Sequence, residues 1–358
     1  MLGFCDTTPS DAAMSLPRQL IYALLVTSTC VGAAPRTDLP SLSFSHKDWE
    51  IACDNTRTCR AAGYHPEGDE PNAAILLTRV AGPNQPVTIQ LQLADDQHHP
   101  LPARVAMTIA QRPVGTVRVD PKSNTGSLSQ LQAQALLPAL LQDELVAWSA
   151  NGMTWTISTA GTNAVLLKMD EFQGRLDTPG ALVRKGNKPE GKVLPAVAPP
   201  DLTPGRVSRD NQPIALTAAQ ARDLITELRR SARDGSCELL DAKRAEAGEL
   251  DIRKLTKEKL LVSHTCWQAA YNTGDGYWVA NAQPPYSPVL VTTSATSYDN
   301  GVISSMQKGR GIGDCLGTAT WTWDGHAFVQ TSAATTGLCR GFPGGAWKLP
   351  TLVTRVRK

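Results

Sequence analysis

The chain has 358 residues, 41% hydrophobic and 19% charged, enough apolar material for two ordinary domains with their own cores. Lys and Arg number 35 against 33 Asp and Glu, a formal net charge of +2. So small an excess gives no argument for nucleic acid or an anionic membrane surface as partner.

The first 34 residues read as a leader. From Met14 the order is one basic residue, Arg18, then an apolar run from Leu20 to Val26, then small residues at Val31, Gly32, Ala33 and Ala34. This is the order of a secretory signal peptide, with cleavage expected after Ala33 or Ala34. Asp6 and Asp11 place negative charge where such a leader is positive, which marks Met14 as the expected true start. The apolar run is far shorter than the ~20 residues of a spanning helix, so no transmembrane segment is expected once the leader is removed. A lipid anchor at Cys30 is disfavoured by the "VTSTC" context. The expected location is the periplasm.

Residues 38–185 are expected to form a β-rich domain with two helices. "HKDWEIACDNTRTCRAAGY" predicts two short strands around a tip closed by Cys53 and Cys59, and "VTIQLQL" alternates from Val87 to Leu93 as a half-buried strand does. "ARVAMTIA" alternates through Val105, Met107 and Ile109, and "TVRVD" follows a proline–glycine break. A first helix is predicted over Leu128–Gln142 with a kink at Pro138, then a hairpin turning on Asn151-Gly152. In the second helix Val165, Met169, Phe172 and Leu176 share one face, with Lys168, Glu171 and Arg175 opposite. Residues 186–214 carry six prolines and little periodicity, and predict an extended linker.

Residues 215–358 are expected to form a second, α+β domain. Thr217 and Gln220 make a capping box. Ala221, Leu224, Ile225 and Leu228 give the apolar stripe, Arg229, Arg230 and Arg233 the last turn, and Gly235 the stop. Strands follow at "KLLVSHTCW", "YWVANA", "VLVTTSAT" and "GVISSMQ", then a hairpin turning on Asp324-Gly325, and "LVTRVRK" closes the chain. The fold class expected is thus α+β, two domains of antiparallel strands with a few packed helices, stapled by disulfides.

Six cysteines remain after the leader: Cys53, Cys59, Cys237, Cys266, Cys315 and Cys339. An even number in an exported chain predicts disulfides, and the closest pair, C-x5-C, lacks zinc-site spacing. Neither a metal nor a cofactor is expected.

The catalytic motifs fail on context. "KGRGIGDC" gives G-x-G-x-G at Gly309, Gly311 and Gly313, followed by a strand-like run where a nucleotide loop needs a helix. These glycines are read as a turn beside a disulfide, with Lys308 and Arg310 kept as a minor anion contact. "SMQK" at Ser305–Lys308 lacks the companion elements of serine penicillin-interacting enzymes, and Asp170 and Glu171 are adjacent on a helix and diverge. His98, His99 and His264 show no nucleophile–base pairing. The binding candidate is the aromatic run Tyr271, Tyr277, Trp278 and Tyr286, set with Trp267 among glycines and prolines, although tryptophans in strands are more often core.

Together "DWEIAC…C", "TWTIS…AVLLKMDEFQGRLDTPGALVRKG", "CWQAAYN", "KGRGIGDC…W.WDG..F" and the closing "CR" resemble the bacterial family called domain of unknown function 1176. The resemblance spans nearly the whole exported chain and implies an exported protein of a Gram-negative bacterium, with six cysteines that match one by one. It carries over no catalytic residue.

For the cysteine pairing, Cys53–Cys59 is favoured as local, and Cys237–Cys266 and Cys315–Cys339 are the shorter remaining closures. A two-residue turn at Asp324-Gly325 would place Cys315 opposite Ala334, so the last pair needs a bulge or a bent strand end, and the pairing of the last four stays open. The functional expectation is a non-catalytic envelope protein that binds a partner protein or glycan. The alternatives are an envelope hydrolase whose site is assembled from distant residues, and a purely structural or protective role.

Overall fold

The computed structural model describes residues 40–94, 101–210, 212–232, 236–241 and 250–357. The leader with Cys5 and Cys30, the His98-His99 pair, and Arg233 and Gly235 lie outside the described residues.

Ten antiparallel strands form the first sheet. β1 (Leu42–His46), β2 (Trp49–Cys53), β3 (Cys59–Tyr64), β4 (Ala73–Arg79) and β5 (Val87–Leu93) run as a meander. β6 (Arg104–Ile109), β7 (Arg112–Asp120) and β8 (Thr125–Ser127) extend it in the spatial order β5-β8-β7-β6. After α1 (Gln130–Leu141), β9 (Val146–Ala150) and β10 (Met153–Ile157) complete it, and α2 (Thr162–Phe172) follows. One core gathers Trp49, Ile75, Leu91, Met107, Trp148 and Trp155 from the strands with Leu136 and Leu140 of α1 and Val165 and Met169 of α2.

Local chemistry accounts for the elements. Ser129 and Gln132 form a capping box that starts α1, and Pro138 sits within that helix. The β9–β10 hairpin turns on Asn151-Gly152 as expected, both residues having positive φ (51° and 81°). The break expected at Pro113–Gly115 is instead part of β7, and the turn before it uses Ala110 and Gln111, with φ of 46° and 65°. β4 was not evident in the sequence because it is buried on both faces and therefore lacks alternation. The second helix ends at Phe172 rather than Leu176. Arg175 consequently leaves the wet face assigned to it and is fully buried, donating to the carbonyl oxygens of Val80 and Gly82. Lys168 and Glu171 do pair on the exposed face, at 2.7 Å. Asp170 points inward and accepts from the N–H groups of Leu182 and Val183, with Arg79 3.7 Å away. Burial and the charge of Arg175 pull Arg79 down to about 10, against the opposing pull of Asp170 and Glu190. This charged group fixes the loop after α2 and has the character of a structural strut.

The second half is layered. β11 (Asp201–Leu202) precedes α3 (Ala218–Ser231) and α4 (Glu238–Asp241). β12 (Asp251–Lys254), β13 (Lys259–Gln268), β14 (Thr273–Asn281) and β15 (Val289–Ala295) form a four-stranded sheet. β16 (Ser297–Asp299), β17 (Val302–Lys308), β18 (Leu316–Trp323), β19 (Phe328–Thr335) and β20 (Leu349–Val353) form a five-stranded one. The last strand, β21 (Arg355–Val356), pairs in parallel with β11. α3 begins at the Thr217–Gln220 capping box and buries all four residues of its expected stripe. Its face packs with Val262, Trp278 and Ala280 on one side of the four-stranded sheet. Leu261, Tyr277 and Val279 point the other way, against Ile303, Trp323 and Phe328 of the five-stranded sheet.

The disulfides are Cys53–Cys59, Cys237–Cys266 and Cys315–Cys339. The two-residue turn expected at Asp324-Gly325 is a longer loop, Gly317 pairs with Thr335, and the turn at Gly337 carries the chain on to Cys339. The loop between β18 and β19 spans Asp324 to Ala327, Asp324 accepting from the N–H groups of His326 and Ala327, and a bulge between Thr320 and Trp321 adds one more residue.

The expected division into two domains is not confirmed, since the described residues from 40 to 357 fall into one compact unit. The proline-rich segment is hydrogen-bonded on both sides, Val197 N–H to the Thr56 carbonyl and Gly205 N–H to that of Trp323. More consequentially, the outer face of β2–β4 (Ala52, Ala62, Tyr64, Ala74 and Leu76) is covered by Phe342, Ala346, Trp347 and Leu349 from the C-terminal end. Phe342→Ala should therefore lower stability by about 3 kcal/mol. In urea titrations its effect should appear as one transition shifted alike for probes in both halves. Separate transitions, with only one of them shifted, would refute this coupling.

Candidate functional site

The aromatic run does not make an exposed platform. Trp278 and Tyr286 are core residues of the α3 layer, and Tyr277 is 8% exposed. Both faces of β14 are covered, so two neighbours that point opposite ways are both buried. Tyr277 does line a cavity of about 180 Å³ between the two sheets, shared with Ser263, Arg253 and Tyr298. Tyr271 alone is exposed, its hydroxyl 3.4 Å from the Gly309 carbonyl. "KGRGIGDC" is a tight connection between β17 and β18, closed by the Gly309 N–H to the Cys315 carbonyl. A Cβ on Gly309 would sit 2.5 Å from Cys315 Sγ, which explains the glycine there. Lys308 is held through its N–H by Asn272, and Arg310 is paired with the buried Asp314.

The site that the structure builds lies where the chain's two ends meet. After β19 the chain turns at Gly337, whose φ is +98° and whose Cβ would fall 2.1 Å from the Tyr64 hydroxyl. The next N–H, of Leu338, donates to Glu50 Oε1 at 2.5 Å, and the Tyr64 hydroxyl donates to the same oxygen at 2.6 Å. Burial raises the Glu50 carboxyl above its ordinary 4.5, opposed by these hydrogen bonds and by the charge of Arg340. Burial and the Glu50 charge raise the Tyr64 phenol well above 10, so it stays a donor. Two residues on, Arg340 Nη2 donates to Asp48 Oδ1 at 2.7 Å. The Gly341 N–H donates to Asp314 at 2.7 Å, which ties this turn to the "GRGIGD" loop.

Between these turns and the β3–β4 loop opens a cleft of about 360 Å³. The β3–β4 loop contributes His65, Glu67, Asp69, Glu70 and Asn72. The opposite wall is Arg310, Ile312 and Arg340 beside the Cys315–Cys339 disulfide. His65 Nδ1 lies 3.1 Å from the Ala73 carbonyl, and burial, with the repulsion of Arg340 added, lowers its pKa below the usual 6.5. The imidazole is therefore neutral at pH 7. Burial would raise Asp314, but the Arg310 side chain and the Gly341 N–H hold it below 3.8. Asp314, Cys315 and Cys339 lie close together, yet both sulfurs are spent in the disulfide and cannot ligate a metal.

Of these residues only Arg310 was a sequence candidate. The "HPEGDEP" stretch looks like an ordinary acidic turn, and Arg340 acquires meaning only from Asp48, 292 positions earlier. The signal that points here is the resemblance itself, because "DWE", "KGRGIGDC" and the closing "CR" meet at this cleft.

Fold and cleft define a disulfide-stapled α+β protein whose candidate site joins its first strands to its last. The chain belongs to the family described as "Protein of unknown function (DUF1176)", whose model matches residues 43–354. It is 27% identical, over 93% of its length and 97% of the relative's, to the "Uncharacterized protein YpfG" of Escherichia coli (strain K12). No solved structure matches. Among the described residues no helix is long and apolar enough to cross a membrane.

The Glu50 knot predicts a pH dependence. Because the folded state holds this proton more tightly, the unfolded chain ionises first as pH rises past about 4.5, and stability falls until native Glu50 ionises as well. In urea midpoints measured across that range, Glu50→Gln should decline less steeply with pH than the parent. Equal slopes would show that the carboxyl is not perturbed.

Proposed function

We propose that the protein is an exported periplasmic component of the cell envelope that binds a partner, without catalysis, in the cleft between its first and last strands. Residues 38–185 and 215–358 act in this reading as two lobes fastened through 186–214, with residues 1–34 as the export leader. Three disulfides fit an oxidising compartment.

The observation that carries the binding reading is the make-up of the cleft wall. Cys339 is in a disulfide, no Ser, Thr, Lys or Tyr among the described residues lines the cleft, and each arginine is tied to a buried or half-buried aspartate. Such a wall recognises charge and shape, and among the described residues it sets no hydroxyl, thiol or amine nucleophile beside a base. The competing hydrolase reading rests on one feature, the neutral imidazole of His65 near Glu67 and Asp69.

Ile312, 75% exposed at the rim, gives the test. A photoreactive residue at 312 in the exported protein should give discrete adducts in cells. The same residue at Leu131, 78% exposed on α1, should not. Ile312→Asp should change stability by no more than about 0.5 kcal/mol. Absence of adducts, or identical adducts at both positions, would overturn the proposal. Hydrolysis of amide, ester or glycosidic substrates that disappears in His65→Gln would replace it with the hydrolase.

A further inference from the structure

We infer that the cleft recognises a basic peptide segment, taking a backbone carbonyl on Arg340 and a lysine or arginine side chain against Glu67 and Asp69. The inference rests on the reading of the cleft as a binding site and names the chemistry of its occupant.

Arg340 provides the first half. Its side chain is 8% exposed and its Nη2 is satisfied by Asp48, but Nη1 has no hydrogen-bond partner. The Glu67 carboxylate stands 3.8 Å from Nη1, an ion pair beyond hydrogen-bonding distance, and the Glu67 side chain is itself 85% exposed. A buried guanidinium donor left unmet is costly. Arg79 and Arg175 also keep an unmet Nη1 inside the structural strut, but of the three Arg340 is the one that lines the cleft. An oxygen acceptor entering the cleft would satisfy it while the solvent-borne Glu67 moves aside.

Charge provides the second half. Arg340 is balanced from behind by Asp48 and Arg310 by Asp314. His65 is neutral, so the formal charge left facing the cleft is that of Glu67 and Asp69. The net field is negative, and it selects a cation. It also disfavours an anionic polysaccharide, although such a ligand could meet Nη1 just as well. A cation and a neutral acceptor oxygen within one small ligand, beside the apolar Ile312, describe a basic residue with its own peptide carbonyl. The aliphatic stem of that residue would lie on Ile312. A cleft of about 360 Å³ admits a side chain with its flanking peptide groups and excludes a folded domain.

The test uses the purified, disulfide-bonded full-length protein and three fluorescent probes read by anisotropy. They are a glycine–serine peptide with two central lysines, its glutamate twin, and an anionic oligosaccharide. The lysine peptide should bind, the other two should not, and binding should weaken as salt rises. Glu67→Gln and Asp69→Asn, both at the rim, should each weaken it about threefold. Arg340→Lys, which keeps the charge and loses the second nitrogen, should weaken it about tenfold while the salt dependence stays unchanged. Equal binding of the glutamate twin or the oligosaccharide, or indifference to Glu67→Gln, would overturn the inference. Failure of the lysine peptide while position 312 still captures a glycan or lipid would sink the peptide and leave the binding cleft standing. Failure of both would sink both.

Discussion

Everything in this molecule depends on the need to cover the second face of β2–β4. The inner face of those strands is buried by α1, α2 and the far strands. The outer face, alanines with Tyr64 and Leu76, needs an apolar cover and finds it in Phe342, Trp347 and Leu349. At about 1.5–3 kcal/mol per large apolar side chain buried, three such residues rival the net stability of an ordinary domain. The two halves therefore share their stability across the proline-rich segment.

The same constraint creates the cleft. A chain that lays its last residues over its first strands must turn sharply before doing so, and polar turns meet where it turns. Buried polar groups have to be paired, so Glu50 takes the Leu338 N–H, Asp48 takes Arg340, and Asp314 takes Arg310 and the Gly341 N–H. The cleft is the space these pairings leave against the β3–β4 loop. Its charged lining follows from the joint between the halves.

What could be read from the sequence was what is local. The α3 capping box and stripe, the Asn151-Gly152 hairpin and the Cys53–Cys59 loop each rest on residues within a few positions of one another, where spacing is informative. β4 escaped because a strand buried on both faces does not alternate. Tyr277, Trp278 and Tyr286 misled for a related reason, since aromatics among glycines look like loop residues until the helix layer and the second sheet are seen to cover both faces of β14. Arg175 misled because the helix pattern runs on past Phe172 in the sequence while the chain itself turns away. Of the site, Arg310 was visible as a cation. The cleft was not, because its walls, residues 65–72 and 310–341, lie more than 200 residues apart along the chain, and no pattern of spacing encodes that proximity.

The placement of that cover has a consequence for how the protein comes into being. In any chain delivered N-terminus first, β2–β4 emerge more than 250 residues ahead of the segment that must lie on them. Until Phe342 and Leu349 arrive, one face of the nascent sheet is an apolar surface open to water, with Tyr64 and Glu50 lacking the backbone N–H they later share. The Cys53–Cys59 loop can close early, whereas Cys315–Cys339 can form only with the end of the chain in place. The last disulfide thus marks completion, and the interval before it is when a holding chaperone would be of most use.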